Sequence, residues 1–287
     1  MKNYTIKKII RRNSMNTNRR KEIRIKADSF REQCNIGHYG IIDLFRDCQR
    51  YGYKLIRYPL GEAADMGFTL KKDEDIIIFT NSSHRLSREI FTLAHEIGHT
   101  LLHMKQSTSF IDDSITISNR NTDEMEQEAN YFAVCLLMPE EKVTKFLDLE
   151  IENFEENGLS AMNITSIMAE FNVSFAMALN TLENLGKITS LEKIRLEDEK
   201  NQKRVGNLLR SVSGNAKLNS PSNILCIPPE YLEYVIYNYN HSAIPQKTLE
   251  KALTCYHLDI EDISDKLVTT DETKEENLDD LIGGLAD

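Results

Sequence analysis

Residues 91–103, FTLAHEIGHTLLH, contain two histidines and a glutamate whose spacing could hold and use a metal ion. On a helix, residues four apart lie on the same face, so His95 and His99 can share one ion. Glu96 is rotated by about 100° from His95, which places its carboxylate beside the ion rather than on it. A zinc ion held in this way leaves room for a water molecule, whose proton the glutamate can remove. The pattern predicts a zinc-dependent peptidase with Glu96 as its general base.

The third zinc ligand is expected on a second helix, predicted from about residue 123 to residue 137. This helix offers three glutamates, and helical geometry alone does not choose among them. Glu124 and Glu128 share one face, whereas Glu126 is rotated away from both. Glu128 directly precedes an apolar stripe, so it is expected at the edge of the buried face. That position favours Glu128 over Glu124.

Two further polar residues near the motif have more than one interpretation. His103 lies one turn beyond His99 on the same face, too far along to bind an ion already held by His95 and His99. It is expected in the core or behind a ligand. Asn130 either orients a ligand or is an amide on the helix surface. Nothing in the sequence selects the donor that would stabilise an oxyanion.

Around the motif, hydrophobic periodicity predicts a small sheet and several helices. The run GFTLKKDEDIIIFTN reads as two strands that flank a polar turn. In chain order, the predicted elements are a helix at 41–51, a strand at 53–59, a hairpin at 67–81, the motif helix, a short strand at 114–118, the glutamate helix, a helix that begins near Pro139, and two helices within 160–188.

The motif helix and the later run EQEANYFAVCLLMP together resemble the ImmA/IrrE family of metallopeptidases. That family combines an HExxH helix with a downstream glutamate helix that ends in LLMP. The resemblance covers about residues 30–145 and continues more weakly through 160–188. It implies an α+β fold, with a zincin-like metallopeptidase core that contains a small antiparallel sheet, followed by mostly helical C-terminal modules.

Carried over by position, the resemblance implies Zn²⁺ bound by His95, His99 and Glu128, with Glu96 as the catalytic base. It also implies regulated cleavage of a specific protein partner, often a transcriptional repressor. We therefore predict a zinc metallo-endopeptidase with a protein substrate.

Composition divides the chain into six segments. The formal net charge is −10, yet the N-terminal segment is strongly basic and the last segment is acidic, so both ends are expected to be solvated. The predicted segments are a basic arm at 1–27, the metallopeptidase domain at 28–145, a module similar to a helix-turn-helix at 146–190, a polar linker at 191–222, a small helical module at 223–268 and an acidic tail at 269–287.

Composition also bears on the compartment. The five cysteines are scattered and form no CxxC pair, which predicts reduced thiols rather than disulfides or a cysteine zinc site. No apolar run approaches the roughly 20 residues that span a bilayer. No apolar stretch follows the basic N-terminus, as a secretory signal would require. We expect a cytoplasmic protein with no membrane partner.

The alternative function is a DNA-binding or protein-binding regulator that uses the helical C-terminal modules and has little or no protease activity. The helices predicted within 160–188 resemble a helix-turn-helix, and the basic arm could contact phosphates. However, the second of these helices is apolar and ends in acidic residues, which is a poor surface for DNA. Nucleic acid is therefore not favoured, and residues 146–268 are expected to select the protein substrate.

Overall fold

The computed structural model describes residues 15–64, 66–104, 119–152, 154 and 158–268, with only the backbone at Lys72 and at residues 119–123. The chain divides into two compact units, Met1–Cys226 and Ile227–Asp287. Among the described residues, none of the helices has the length and apolar character needed to cross a bilayer.

The first unit combines a small sheet with helices, which confirms the α+β class. In chain order its described elements are α1 (Thr17–Gln33), α2 (Leu44–Arg50), β1 (Lys54–Tyr58), β2 (Gly67–Lys72), β3 (Asp75–Asn81), α3 (Leu86–Leu102), α4 (Asn119–Leu137), α5 (Glu140–Glu150), α6 (Ala161–Phe171), α7 (Phe175–Asn184), α8 (Ser190–Lys203), α9 (Val205–Ser211) and a 3₁₀ turn at Ala216–Asn219.

The sheet has the strand order β1-β3-β2. The predicted hairpin is confirmed: β2 and β3 are antiparallel, with Phe68 opposite Phe79, and a two-residue turn joins them. The sheet differs from the expected antiparallel one because β3 inserts between β1 and β2 and runs parallel to β1. Strand order of this kind depends on tertiary packing, which alternation along a strand does not encode. The strand predicted at 114–118 lies outside the described residues.

Helix α3 packs on the sheet and on α4, and α1 also packs on α4. Part of the predicted basic arm is therefore core structure, since α1 includes residues 17–27. Ile23 and Ala27 are fully buried, and Phe30 continues the same stripe. Their spacing of four and three residues is that of a buried helix face, although charged residues surround them. Residues 1–14 of the arm lie outside the described residues.

Residues 191–222, predicted as a polar linker, also belong to the first unit. They contain most of α8, all of α9 and the 3₁₀ turn. Leu196, Leu209 and Leu218 are fully buried in the same core as the sheet and α3. The segment is polar on average because these anchoring leucines are widely spaced.

Residues 220–226, which we call the strap, run beside β1 and the start of α3. Arg57 and Cys226 exchange two backbone hydrogen bonds of 2.8 and 2.9 Å. The Leu86 amide donates to the Ser220 carbonyl at 3.0 Å. The strap therefore pairs with the outer side of β1 and holds the beginning of the motif helix.

The second unit contains α10 (Pro229–Asn240), α11 (Gln246–Thr254) and a 3₁₀ turn at Glu261–Lys266. It has its own small core, formed mainly by Ile236, Leu249 and Leu253. The division after Cys226 lies four residues beyond the predicted boundary at 222/223, because the strap belongs to the first unit. The acidic tail lies outside the described residues.

Candidate metal centre

Helix α3 presents His95 and His99 on one face, as the spacing predicts. Their Nε2 atoms are 3.0 Å apart and their rings are inclined by 76°. The opposite face of α3 carries Leu93, Ala94 and Ile97, which are fully buried in the core. This apolar face fixes the rotation of the helix, so the two imidazoles point together toward α4.

Glu126 on α4 completes a group of three potential ligands. Its carboxylate oxygens lie 3.2 Å from Nε2 of His95 and 3.2 Å from Nε2 of His99. The three residues form a group within which all ligand atoms lie inside 4.8 Å of one another. Hydrogen bonds to His95 and His99 hold the pKa of Glu126 well below its usual range. The carboxylate is therefore anionic, and it is half-exposed, which leaves the group open to solvent on this side.

The spacing and chemistry of this group fit zinc. Nitrogen and oxygen ligands of tetrahedral zinc lie at about 2.0–2.2 Å, and therefore about 3.3 Å from one another. The observed separations of 3.0–3.2 Å are close to that value. Two imidazoles and one carboxylate are also a ligand set that catalytic zinc uses, with a further position open.

Glu128, predicted as the third ligand, lies elsewhere. Its carboxylate contacts Nε2 of His103 at 3.1 Å and accepts two hydrogen bonds from the Arg19 guanidinium. Residues two apart on a helix differ by about 200° in direction, so Glu126 points toward His95 and His99, while Glu128 points toward Arg19 on α1 and His103 at the end of α3. Hydrogen bonds from Arg19, followed by that from His103, lower the pKa of Glu128. The structure thus places Glu126, not Glu128, beside both histidines.

Each histidine of the pair has a second partner at Nδ1. Asn130 Oδ1 lies 3.1 Å from Nδ1 of His95. Because this oxygen only accepts, it takes a hydrogen bond from Nδ1 of His95, which leaves the lone pair of Nε2 for an ion when the ring is neutral. His103 Nδ1 lies 3.1 Å from Nδ1 of His99. Of the two interpretations for Asn130, the geometry agrees with the one that orients a ligand. His103 is both buried and in contact with a ligand candidate.

Protonation of two histidines differs with their surroundings. Burial opposes a charge on His95, but contacts with Glu126, Glu96 and Asn130 outweigh it and raise the pKa. For His103, burial dominates and lowers the pKa, despite the hydrogen bond to Glu128. The buried His103 is therefore neutral over a wider pH range than an exposed histidine.

Glu96, the predicted base, lies beneath the edge strand β2. It is 7% exposed, and Thr69 on β2 donates a hydrogen bond of 2.7 Å to its Oε2. Burial raises the pKa of Glu96, and the hydrogen bond from Thr69 partly opposes that rise. A raised pKa makes a carboxylate a stronger base near neutral pH. No pattern in the sequence points to Thr69, because the strand order that brings it to Glu96 depends on tertiary packing.

Two glycines allow the close packing around the site. A Cβ at Gly67 on β2 would lie 2.5 Å from Cγ2 of Thr92 and 2.8 Å from the Phe79 carbonyl oxygen, so only glycine lets the strand approach α3 so closely. A Cβ at Gly98 would lie 3.2 Å from Cα of Ala129. Gly98 lies between the two histidines, and Ala129 follows Glu126 by three residues, so this contact sets the distance between the candidate ligands on the two helices.

A buried ion pair anchors the start of α3. The Arg57 guanidinium donates two hydrogen bonds of 2.8 Å to the Glu89 carboxylate. Thr80 donates to the same carboxylate at 3.1 Å, and Ser222 of the strap donates at 2.9 Å. The Glu89 side chain is fully buried, so these contacts replace its hydration. These hydrogen bonds to Glu89 connect α3 with β1, β3 and the strap.

Comparison with known proteins finds similarity in the part of the chain that carries these residues. A family model described as the IrrE N-terminal-like domain matches residues 48–183. "Uncharacterized immunity region protein 2" of Bacillus phage phi105 is 33% identical over 98 residues, which are 34% of this chain and 58% of that protein. "Metallopeptidase ImmA" of Bacillus subtilis (strain 168) is 23% identical over 150 residues, 52% of this chain and 85% of that protein.

The alignments cover only part of the chain or are distant, which limits the conclusions that apply to the whole chain. This chain spans 58% of the length of the phage protein, and the match to the Bacillus subtilis protein is distant, at 23% identity. The region that matches the family model nevertheless contains the sheet, α3 and α4, and with them both histidines and Glu126. Residues 48–183 are therefore similar to the ImmA/IrrE family of metallopeptidases.

Proposed function

We propose that this chain is a zinc-dependent endopeptidase with Glu96 as its general base. The supporting observation is the convergence of His95, His99 and Glu126, with all ligand atoms within 4.8 Å of one another. When bound there, zinc supplies Lewis acidity, which polarises a peptide carbonyl and lowers the pKa of a water molecule at the site. The proposal replaces Glu128 with Glu126 as the third ligand.

Glu96 carries the proton transfers in this proposal. It takes a proton from the attacking water and later gives it to the leaving amine. Thr69 holds Oε2, so Oε1 is the oxygen assigned to proton transfer. Burial keeps the carboxyl basic enough to do this near neutral pH.

The edge of the sheet supports a peptide as substrate. Among the described residues, β2 pairs with β3 on one side only. The backbone groups on its other side can pair with an extended peptide, as exposed sheet edges do. Because Thr69 on β2 contacts Glu96, a peptide bound along this edge would pass the general base.

For the substrate, we propose a specific cellular protein, with a transcriptional repressor as the leading class, and a cytoplasmic location for the cleavage. The family resemblance and the scattered cysteines support these finer points. We assign partner selection to the second unit. Of residues 146–268, which were predicted for this role, those up to Cys226 belong to the first unit and contribute to its core.

The alternative of a DNA-binding regulator has less support. Helices α6 and α7 are separated by a tight turn, as in a helix-turn-helix, but the ten residues of α7 include no lysine or arginine. A recognition helix instead needs polar and basic residues on a free face to contact DNA.

The test compares wild type, Glu96→Gln and Glu124→Gln, each loaded with zinc. Cleavage of a peptide library is followed by mass spectrometry. Glutamine cannot accept the proton, so Glu96→Gln should lose about 10²–10⁴-fold in rate while its zinc content is unchanged. Glu124→Gln removes the same charge from an exposed position and should cleave like wild type. Absence of zinc from the wild type, or full activity in Glu96→Gln, contradicts the proposal.

A further inference from the structure

A chain of hydrogen bonds runs from His99 away from the metal centre and ends on α1. His99 Nδ1 lies 3.1 Å from His103 Nδ1, and His103 Nε2 lies 3.1 Å from Glu128 Oε2. The Arg19 guanidinium donates hydrogen bonds to both oxygens of Glu128, with Nε 2.8 Å from Oε1 and Nη2 2.5 Å from Oε2. Arg19 and Glu128 are 109 positions apart in the chain.

The chemistry of the groups allows one arrangement of hydrogens along this chain when His99 is a ligand through Nε2. Ligation uses the lone pair of Nε2, so Nδ1 of His99 carries the hydrogen and donates it. Nδ1 of His103 must then accept, so Nε2 of His103 carries the hydrogen and donates to Glu128. Arg19 has only donors, so Glu128 accepts from both sides. Each link therefore has one direction, from His99 outward to a carboxylate.

We propose that His103, Glu128 and Arg19 are positioning residues that fix the tautomer and ring orientation of His99 for zinc. The inference rests on the proposed function. Although the sequence predicted that Glu128 binds zinc, in this proposal it does not, and it supports His99 through His103. A carboxylate at the end of such a chain increases the electron donation of the ligand, and loss of outer partners typically costs about 10–100-fold in metal affinity.

The surroundings of the chain favour this role over a surface ion pair. His103 is 7% exposed, so water competes little for its two ring nitrogens. The planar guanidinium of Arg19 matches both carboxylate oxygens, which fixes the direction of Glu128. Since Arg19 lies on α1, the docking of this helix on α4 is coupled to the geometry of His99. At Nδ1 of His95, by contrast, the partner is the amide oxygen of Asn130 on α4.

The experiment measures the zinc affinity of full-length variants by competition with a chromophoric chelator. His103→Leu removes the acceptor for His99 and should bind zinc about 10–100-fold more weakly. Arg19→Met removes the outermost link and should weaken zinc binding by about three- to tenfold, while Arg19→Lys, which keeps the charge, should recover part of the loss. The zinc affinity of Glu128→Gln should lie between those of His103→Leu and Arg19→Met.

Arg24→Met is the matched control. Arg24 is also on α1 and contacts Tyr131 on α4 at 2.9 Å and Glu140 on α5 at 3.1 Å, but it is not part of the chain. If Arg19 acts only by holding α1 in place, the two methionine variants should change zinc affinity and thermal midpoint alike. The proposal requires that Arg24→Met bind zinc within about twofold of wild type.

Nitrogen-15 NMR of the zinc-loaded protein gives a readout that a purely structural role would not change. The Nδ1–H signal of His99 should show a hydrogen-bonded proton in wild type and lose that character in His103→Leu, while the Nδ1–H signal of His95 stays unchanged. Zinc binding by wild type together with unchanged affinity in Arg19→Met and His103→Leu overturns this inference alone. A wild type that binds no zinc overturns the proposed function, and this inference with it.

Discussion

Replacement of Gly98 by alanine tests the close contact that brings the ligands on α3 and α4 together. The added Cβ would lie 3.1 Å from Cδ1 of Phe132 and 3.2 Å from Cα of Ala129. Both distances are shorter than ordinary van der Waals contact, and one of them is to backbone. The helices must therefore separate by a few tenths of an ångström. Zinc sites tolerate deviations of only about 0.2 Å in ligand distance, so Glu126 would be displaced by a comparable amount.

The expected change in stability follows from two opposing effects. Alanine is favoured over glycine in a helix by about 0.8–1 kcal/mol. Overpacking a core contact costs about 1–3 kcal/mol. The free energy of unfolding of zinc-free Gly98→Ala should therefore fall by about 0–2 kcal/mol, and its zinc affinity should fall by roughly tenfold, or about 1.4 kcal/mol.

Gly206→Ala is the matched control, since Gly206 is also helical, in α9, and a Cβ there would have no atom within 4 Å. This variant should gain about 0.5–1 kcal/mol in stability and bind zinc like wild type. Urea unfolding of the zinc-free proteins measures the first quantity, and chelator competition measures the second. If Gly98→Ala gains stability as Gly206→Ala does and keeps full zinc affinity, the contact between α3 and α4 does not limit the geometry of the site.

Two further predictions concern the base and the buried ion pair. Thr69→Val removes the hydrogen bond that lowers the Glu96 pKa, so that pKa rises further and a higher pH is needed to deprotonate the base. The acid limb of kcat/KM should move to higher pH, with a loss of about tenfold on that limb, whereas Thr69→Ser should keep the wild-type profile. Glu89→Gln leaves Arg57 buried without its counter-charge, so urea unfolding should show a loss of about 3–5 kcal/mol. The double variant Arg57→Met, Glu89→Leu should lose less stability than Glu89→Gln, because no charge is left unpaired. An unchanged pH profile in Thr69→Val would contradict the first prediction. An unchanged urea midpoint in Glu89→Gln would contradict the second.

Local patterns in the sequence predict the features that depend on near neighbours. The motif helix and the hairpin at 67–81 follow from periodicity and turn chemistry, and both are confirmed. The pairing of His95 and His99 needs only the four-residue spacing of one helix. These parts of the site are set by the geometry of a single element, so no knowledge of the tertiary packing is required.

The remaining features depend on which elements meet. The choice between Glu126 and Glu128 depends on how α4 packs against both α3 and α1, which gives the two glutamates different partners. The sequence did not predict that α1 packs into the core, because its buried residues, such as Ile23, lie within a strongly basic segment. Thr69 reaches Glu96 only because β3 lies between β1 and β2 and leaves β2 at the sheet edge. Each of these contacts joins residues at least 25 positions apart.

The central claim is that His95, His99 and Glu126 form a zinc site. Its most direct test is anomalous diffraction at the zinc edge from crystals of the full-length, zinc-loaded protein. We predict one zinc ion with Nε2 of His95, Nε2 of His99 and a carboxylate oxygen of Glu126 at about 2.0–2.2 Å, and with Glu128 still bound to Arg19 and His103. Zinc bound by Glu128 in place of Glu126, or no zinc between the two histidines, would contradict the account.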